Sequence, residues 1–328
     1  MAAGNAEFAI LGAGAIGSII GAHLARSGHT VVMLARGQRA QGIELRGLRI
    51  KGLVEISQPV PVLTDASEFS GAEVLIVATK TYGTEAALAP LIHARIGTAF
   101  SIQNGLMKND QLSAAWGRER VLGALANTSG ELLSDGEVLF TRNEQLCIGE
   151  LDGGESARAA RIAKVIDDSG VRAGAVEDIQ SLEWSKFASW AGMMVSAVTT
   201  RAVTWKYLTD PDSALILARL VREIGVLSAA RKITLSDRST LPVATIARVS
   251  EGEAVAILQA LGNRMRLSAP DHRISTLQDL ESGRALEIEE TLGYAVRDAA
   301  RSNLRLPLLE CFYRMVRGID RIRRQERV

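Results

Sequence analysis

The chain has 328 residues, 38 lysines and arginines against 37 aspartates and glutamates, and a net charge of +1. A charge this close to zero gives no reason to expect a nucleic-acid or membrane partner, and 47% hydrophobic with 23% charged residues is the make-up of a water-soluble chain long enough for two domains. Two cysteines without a spacing pattern, Cys147 and Cys311, and only four histidines point to a reducing compartment and to no metal site.

The first element is the apolar run Phe8-Ala9-Ile10-Leu11, which leads straight into Gly12-Ala13-Gly14-Ala15-Ile16-Gly17. Ile16, Ile19, Ile20 and Leu24 then recur at helical spacing, and 29–35 reads as a second strand. A strand, G-x-G-x-x-G and a helix in that order suit a dinucleotide pyrophosphate. Gly12 permits the tight turn, Gly14 lets backbone approach phosphate, and Gly17 lets helix pack on strand. The helix N-terminus supplies N–H groups and a positive dipole end. The second strand ends in Arg36 rather than an acidic residue. An acid there would accept from the adenosine ribose hydroxyls, whereas an arginine offers a planar cation to a 2′-phosphate, so NADP is the expected cofactor.

Gly47-rich turns and short extended pieces follow through Val62. The run 74–78 reads as a central parallel strand buried on both faces. A helix is predicted over 84–96, and strands over 99–102 and 121–124. The short runs 138–140 and 145–148 read as a hairpin, followed by a helix over 155–168 and a strand near Val171. From Ile179 onward the pattern is helical, with segments 182–198, 213–230, 241–260, 276–301 and 308–324 separated by breaks at Pro211, Pro270 and Pro307. The expected fold is α/β, a Rossmann-type doubly wound sheet over 1–178 followed by an all-helical domain over 179–328, with the ligand in the cleft between them. No secretory leader is read at the N-terminus. The longest apolar helical stretch, 187–200, is 14 residues and too short to cross a bilayer, so a cytoplasmic protein is expected. Six C-terminal arginines, Arg314, Arg317, Arg321, Arg323, Arg324 and Arg327, are interrupted by Asp320 and Glu326 and suit a helix C-terminus better than a nucleic-acid tail.

Polar residues follow two of the strands. Lys80 and Gln103-Asn104-Gly105 emerge at strand carboxyl ends, where open parallel sheets bind ligands, although either is also an ordinary loop side chain. Lys186 shares a helical face with Ser189, Trp190, Met193 and Met194. A lysine there either snorkels to solvent or, when desolvated, donates a proton; periodicity alone favours the first. Ser275-Thr276-Leu277-Gln278 has the form of a capping box, and Glu287 can pair with Arg284 one turn back.

Together these pieces resemble the ketopantoate reductase family, the 2-dehydropantoate 2-reductases. The likeness runs from Phe8 to Val316 through the glycine turn, Arg36, Thr79-Lys80, Gln103-Asn104-Gly105, Gly136-x-Val138, Ile148-Gly149-Glu150, Trp184-x-Lys186-Phe187, Ser275-x-x-Gln278-Asp279 and Glu287-Ile288. The resemblance implies a Rossmann domain joined to a helical domain like that of 6-phosphogluconate dehydrogenase. It implies NADPH-dependent reduction of a 2-keto acid to a 2-hydroxy acid, as in pantothenate biosynthesis, and a homodimer. It makes Lys186 the general acid, assigns substrate holding to Ser275 and to Glu287, which also positions Lys186, and puts Lys80 and Asn104 where cofactor and substrate meet. The family helix runs W-x-K-L-x-x-N-x-x-x-N, whereas Trp190 and Met194 stand at the two asparagine positions, and Leu292-Gly293 replaces Asn-Gly. The substrate lining, which includes Trp190 and Met194, is thereby altered. Four readings remain: a reductase of a 2-keto acid more apolar than ketopantoate, ketopantoate itself with hydroxyl contacts from Ser189 or Thr291, a D-2-hydroxy acid dehydrogenase using NAD, and a noncatalytic NADPH-binding regulator.

Overall fold

The N-terminal apolar run forms β1 (Ala6–Leu11), whose side chains alternate between two cores. Phe8 and Ile10 join one cluster, and Ala9 and Leu11 join another on the opposite sheet face. A strand buried on both sides in this way is the centre of a parallel sheet covered by helices on each face. The computed structural model describes residues 6–325 and divides the chain into two compact units, one ending at Gln180 and one starting at Ser181.

In the first unit β1 pairs in parallel with β2 (Val31–Leu34) and β6 (Gly71–Val77). Beyond β2 lies β5 (Val62–Leu63), and beyond β6 lie β7 (Arg95–Ser101) and β8 (Val121–Leu132). Strand order therefore reverses between β1 and β6, which is where a doubly wound sheet opens its ligand crevice. Helix α1 (Ala15–Arg26) buries Ile19, Ile20 and Leu24 against one face. The opposite cluster takes Leu88 and Leu91 from the β6–β7 crossover, together with Leu112 and Trp116 of α4 (Met107–Trp116).

Several boundaries depart from the sequence reading. The stretch after β2 holds α2 (Gly37–Arg46) before β3 (Leu48–Gly52) and β4 (Ile56–Gln58), and α4 was likewise not anticipated. Helix α2 buries only Ala40 and Ile43, too few apolar positions to show a stripe. The helix expected over 84–96 is only α3 (Thr84–Leu88), because the chain tightens into a 3-10 turn at Ala89–Leu91 that carries Pro90. The runs 138–140 and 145–148 do not pair with each other. They are two ends of one strand, β9 (Val138–Glu150), which lies antiparallel to β8. The exposed polar residues between them, such as Arg142 opposite Ser129, sit on the same ladder, with a register shift at Thr141. Helix α5 (Ala157–Asp168) and β10 (Ala173–Ala175) complete the unit.

The second unit is helical: α6 (Ile179–Thr200, entering from the first unit), α7 (Thr204–Thr209), α8 (Pro211–Ala230), α9 (Val243–Arg248), α10 (Glu251–Ser268), α11 (Ser275–Glu281), α12 (Leu292–Arg301) and α13 (Pro307–Gln325). Two segments read as single helices are split. The first breaks at Ser250, whose side chain forms a reciprocal capping box with Glu253 and starts a new helix. The second breaks after Glu281, where Gly283 takes φ +76° and residues 284–288 run without helical bonds. Buried Asp298 of α12 accepts from Arg231, at 2.9 Å from Nε, and from Arg301, which ties α12 to the end of α8. Glu223 of α8 accepts the Leu308 and Leu309 N–H groups at 3.0 and 2.7 Å, capping the start of α13. Among the C-terminal arginines, Arg314 pairs with Glu310, Arg317 with Glu289, and Arg323 and Arg324 with Asp320. Glu326 and Arg327 lie outside the described residues. Among those described, no helix is long and apolar enough to cross a membrane.

Candidate dinucleotide and catalytic residues

The turn at residues 12–17 uses its three glycines differently. A Cβ on Gly12, which sits at φ +108°, would lie 2.7 Å from the Thr79 nitrogen. One on Gly17 would lie 2.2 Å from the Gly12 carbonyl oxygen. Both positions are closed by the protein's own backbone. Gly14 meets only the Ala78 carbonyl, at 3.8 Å, so its outer side is open to an approaching group. Gly14 is also the N-cap of α1, extended and without a side-chain cap, and the first turn carries no acid. The leading N–H groups of α1, from Ala15, Ile16 and Gly17, therefore keep their positive end unmasked. Open backbone, donors and dipole together fit a dinucleotide pyrophosphate.

The neighbouring strand ends gather around this turn. Ala78 and Thr79, which follow β6, pack on Gly12 and Gly17. Lys80 comes next, exposed, as the N-cap of a 3-10 turn. Gln103, after β7, is buried and clamps the site from behind. Its amide donates to the Thr79 hydroxyl at 3.0 Å, the Thr84 hydroxyl at 2.8 Å and the Lys80 carbonyl at 3.3 Å. Its carbonyl side accepts from the Ser101 hydroxyl at 2.9 Å. Asn104 is half-buried beside it. Lys108 on α4 is buried, with its ammonium on the carbonyls of Gln103 and Ala124. Sequence spacing flagged Gln103 as a group at a strand end, but not as the clamp. Nothing in the local sequence pattern around Lys108 marks it as buried.

Arg36 is exposed at the end of β2 and is the N-cap of α2. Across from it, Asp65 caps a short 3-10 turn. The Ser67 hydroxyl and N–H, and to a smaller extent the Arg36 charge, hold the Asp65 carboxyl below its ordinary value.

In the helical unit, Lys186 stands half-buried on α6. One turn on, half-buried Trp190 lies against the Phe187 ring at 6.2 Å, and its buried indole Nε1 has no acceptor among the described residues. Met194 is fully buried, so it faces no solvent. Ser189 is 1% exposed and accepts from the Leu241 N–H. Thr291 is fully buried, and its hydroxyl donates to the Glu287 carbonyl. Neither hydroxyl is open to substrate in the described structure. Ser275 is exposed at the first position of α11, where Ile274 is the N-cap and no side-chain cap forms. The expected capping box is therefore absent: Ser275 sits one residue too far into the helix, and Gln278 donates to the Arg273 carbonyl instead. Half-buried Glu287 lies in the segment 284–288, not within a helix. Arg284, the partner expected for it, pairs with Asp279 at 2.6 Å. Close by, burial and then the charges of Glu287 and Glu289 push the Glu290 carboxyl above its ordinary value. Among the described residues, no cluster of three or more His, Cys, Asp or Glu is placed to hold a metal.

The sequence profile described as ketopantoate reductase PanE/ApbA matches residues 8–153, and the corresponding C-terminal profile matches residues 178–320. The chain belongs to the ketopantoate reductase family. Membership makes it an oxidoreductase acting on CH–OH groups. A 2-dehydropantoate 2-reductase from Archaeoglobus fulgidus is 29% identical over 95% of this chain and 97% of its own length. The fold is shared with a ketopantoate reductase from Ralstonia eutropha, at a TM-score of 0.79 and 24% identity over 97% of this chain and 99% of that one. It is shared equally with D-mandelate dehydrogenase, solved with NADH and anilino(oxo)acetate, at a TM-score of 0.81 and 19% identity over the same shares of each chain. The ketopantoate reductase fold thus accounts for both units, the doubly wound sheet and the helical unit that follows it.

Proposed function

We propose that this protein reduces a 2-keto acid to a 2-hydroxy acid with NADPH, in the manner of a 2-dehydropantoate 2-reductase. The observation that carries the reading is the open side of Gly14 at an uncapped helix start, with the exposed cation Arg36 at the end of the adjoining strand. Gly12, Ala13, Gly14, Ala15, Ile16 and Gly17 would hold the pyrophosphate. Arg36 would pair with the 2′-phosphate, and Lys80 and Asn104 would line the nicotinamide end. When bound, the reduced nicotinamide supplies a hydride to the keto carbon.

Lys186 has the remaining chemical task. Its ammonium stabilises negative charge gathering on the carbonyl oxygen and then gives that oxygen a proton. Ser275 orients the carboxylate of the substrate. Glu287 holds Lys186 or a substrate hydroxyl. The family resemblance supports these roles, together with a homodimer, a cytoplasmic setting and, for 2-dehydropantoate as substrate, a place in pantothenate biosynthesis.

A second reading concerns the substrate. Trp190 replaces an amide that would bond substrate oxygens, and its indole face favours an apolar or aromatic side chain on the keto acid. One experiment separates these readings: turnover of a panel of 2-keto acids, including 2-dehydropantoate and phenylglyoxylate, with NADPH and with NADH. Preferred turnover of 2-dehydropantoate with NADPH is the expected result. Preference for keto acids that lack a hydroxyl selects the second reading, and preference for NADH selects a D-2-hydroxy acid dehydrogenase. Tight NADPH binding with no turnover of any member would leave only a noncatalytic binding protein.

A further inference from the structure

Arg39 lies on the first turn of α2, three residues after Arg36. Its guanidinium donates from Nε to the Ala13 carbonyl at 2.8 Å, from one terminal nitrogen to the Ser18 hydroxyl at 2.7 Å, and from the other to the Gly136 carbonyl at 2.6 Å. The Ser18 hydroxyl in turn donates to the same Ala13 carbonyl at 3.2 Å. All the acceptors are neutral. Arg39 is half-buried, and its partners among the described residues are two carbonyls and a hydroxyl, with no carboxylate among them. Burial, and then the like charge of Arg46, pull its pKa down. A cation withdrawn from water without a counter-ion is costly, and the cost falls when an anion arrives nearby.

The Ala13 carbonyl shares a planar trans peptide with the Gly14 N–H, so the two point in opposite directions. Holding the carbonyl back onto Arg39 and Ser18 aims the Gly14 N–H away from them, and that N–H has no acceptor among the described residues. We propose that Arg39 is a positioning residue for the dinucleotide, fixing the Gly14 peptide and leaving an unneutralised positive charge behind the pyrophosphate turn. The inference deepens the nucleotide reading at residues 12–17 and rests on it. It also separates the work of two arginines on one helix turn: Arg36 concerns the 2′-phosphate, which only NADPH has, and Arg39 concerns the pyrophosphate common to NADPH and NADH.

The test is the dissociation constant of NADPH and of NADH for the full chain and for Arg39→Gln and Arg39→Lys, with melting curves of the unliganded proteins and steady-state kinetics. Arg39→Gln is expected to weaken both cofactors by about tenfold or more, with kcat at saturating cofactor within about twofold of the unaltered chain. Arg39→Lys keeps the charge but loses the three-way fork, and its loss should be intermediate and again equal for both cofactors. If the glutamine variant does not fold, the lysine variant decides alone. Unchanged dissociation constants overturn the proposal, as does a loss confined to NADPH or a fall in kcat alongside the rise in KM. If the unaltered chain binds neither cofactor, the nucleotide reading fails and takes this inference with it. If it binds and the variants bind equally well, only the role of Arg39 is lost.

Discussion

Arg36 and Arg39 show how little residue type alone decides. Arg36 ends β2 in solvent, with Asp65 opposite; Arg39, three positions on, is drawn into the backbone of the glycine turn. The first could be read from its interval after Gly17. The second could not, because its acceptors are two carbonyls and a hydroxyl at residues 13, 18 and 136, brought together only by the fold. Arg36→Asp replaces a cation by an anion where the 2′-phosphate would bind. NADPH affinity should fall by at least about tenfold while NADH affinity changes by less than about threefold. Equal losses, measured by titration of each cofactor, would remove the 2′-phosphate from Arg36. At the same scale, the buried indole nitrogen of Trp190 has no hydrogen-bond partner among the described residues, a cost ordinarily of about 1–3 kcal/mol.

Elements, more than residues, were legible in the sequence. The strand, turn and helix at the N-terminus were plain because apolar period and glycine spacing agreed, as were the long apolar helix α6 and the amphipathic α13. Helix α2 and the split of residues 276–301 were not legible. One buries too little apolar surface to show a stripe, and the other is broken by Gly283 inside a run of helix-forming residues. The Gln103 clamp was hidden for a related reason: it unites the ends of β6 and β7, which are far apart in sequence. Helix α1 also carries a pH-sensitive contact with the end of α5. His23 is buried, its Nδ1 donates to the Ser169 carbonyl at 2.9 Å, its ring lies edge-on to Phe140, and Nε2 has no partner among the described residues. Burial, opposed by that hydrogen bond and reinforced by Arg26, holds its pKa below the ordinary 6.5. The unfolded chain therefore binds a proton that the folded chain resists. The stability this group contributes is complete above 6.5 and is lost as pH falls from there through the lowered folded value. Between about pH 7.5 and about pH 5.5, the unaltered chain should lose more melting temperature than His23→Gln, whose side chain does not titrate. Parallel losses would place the acid sensitivity elsewhere.

For the molecule as a whole, composition limited the possibilities and motif order chose among them. A near-neutral, cysteine-poor chain of 328 residues fits many folds. A glycine turn, two polar strand ends, a helical lysine and a late acidic segment in one order fit the family whose profiles cover both units. What sequence could not supply was exposure: Met194, Ser189 and Thr291 share the expected face or vicinity yet are fully or almost fully buried, while Trp190 is only half-buried. Proton donation from Lys186 to a keto acid taking up hydride is probed by kcat and NADPH affinity of Lys186→Ala, on the best substrate of the panel. A fall in kcat of about a hundredfold to ten-thousandfold is expected, with the dissociation constant for NADPH unchanged. A kcat within about threefold of the unaltered chain would remove Lys186 from that role, because a general acid typically contributes about a hundredfold or more.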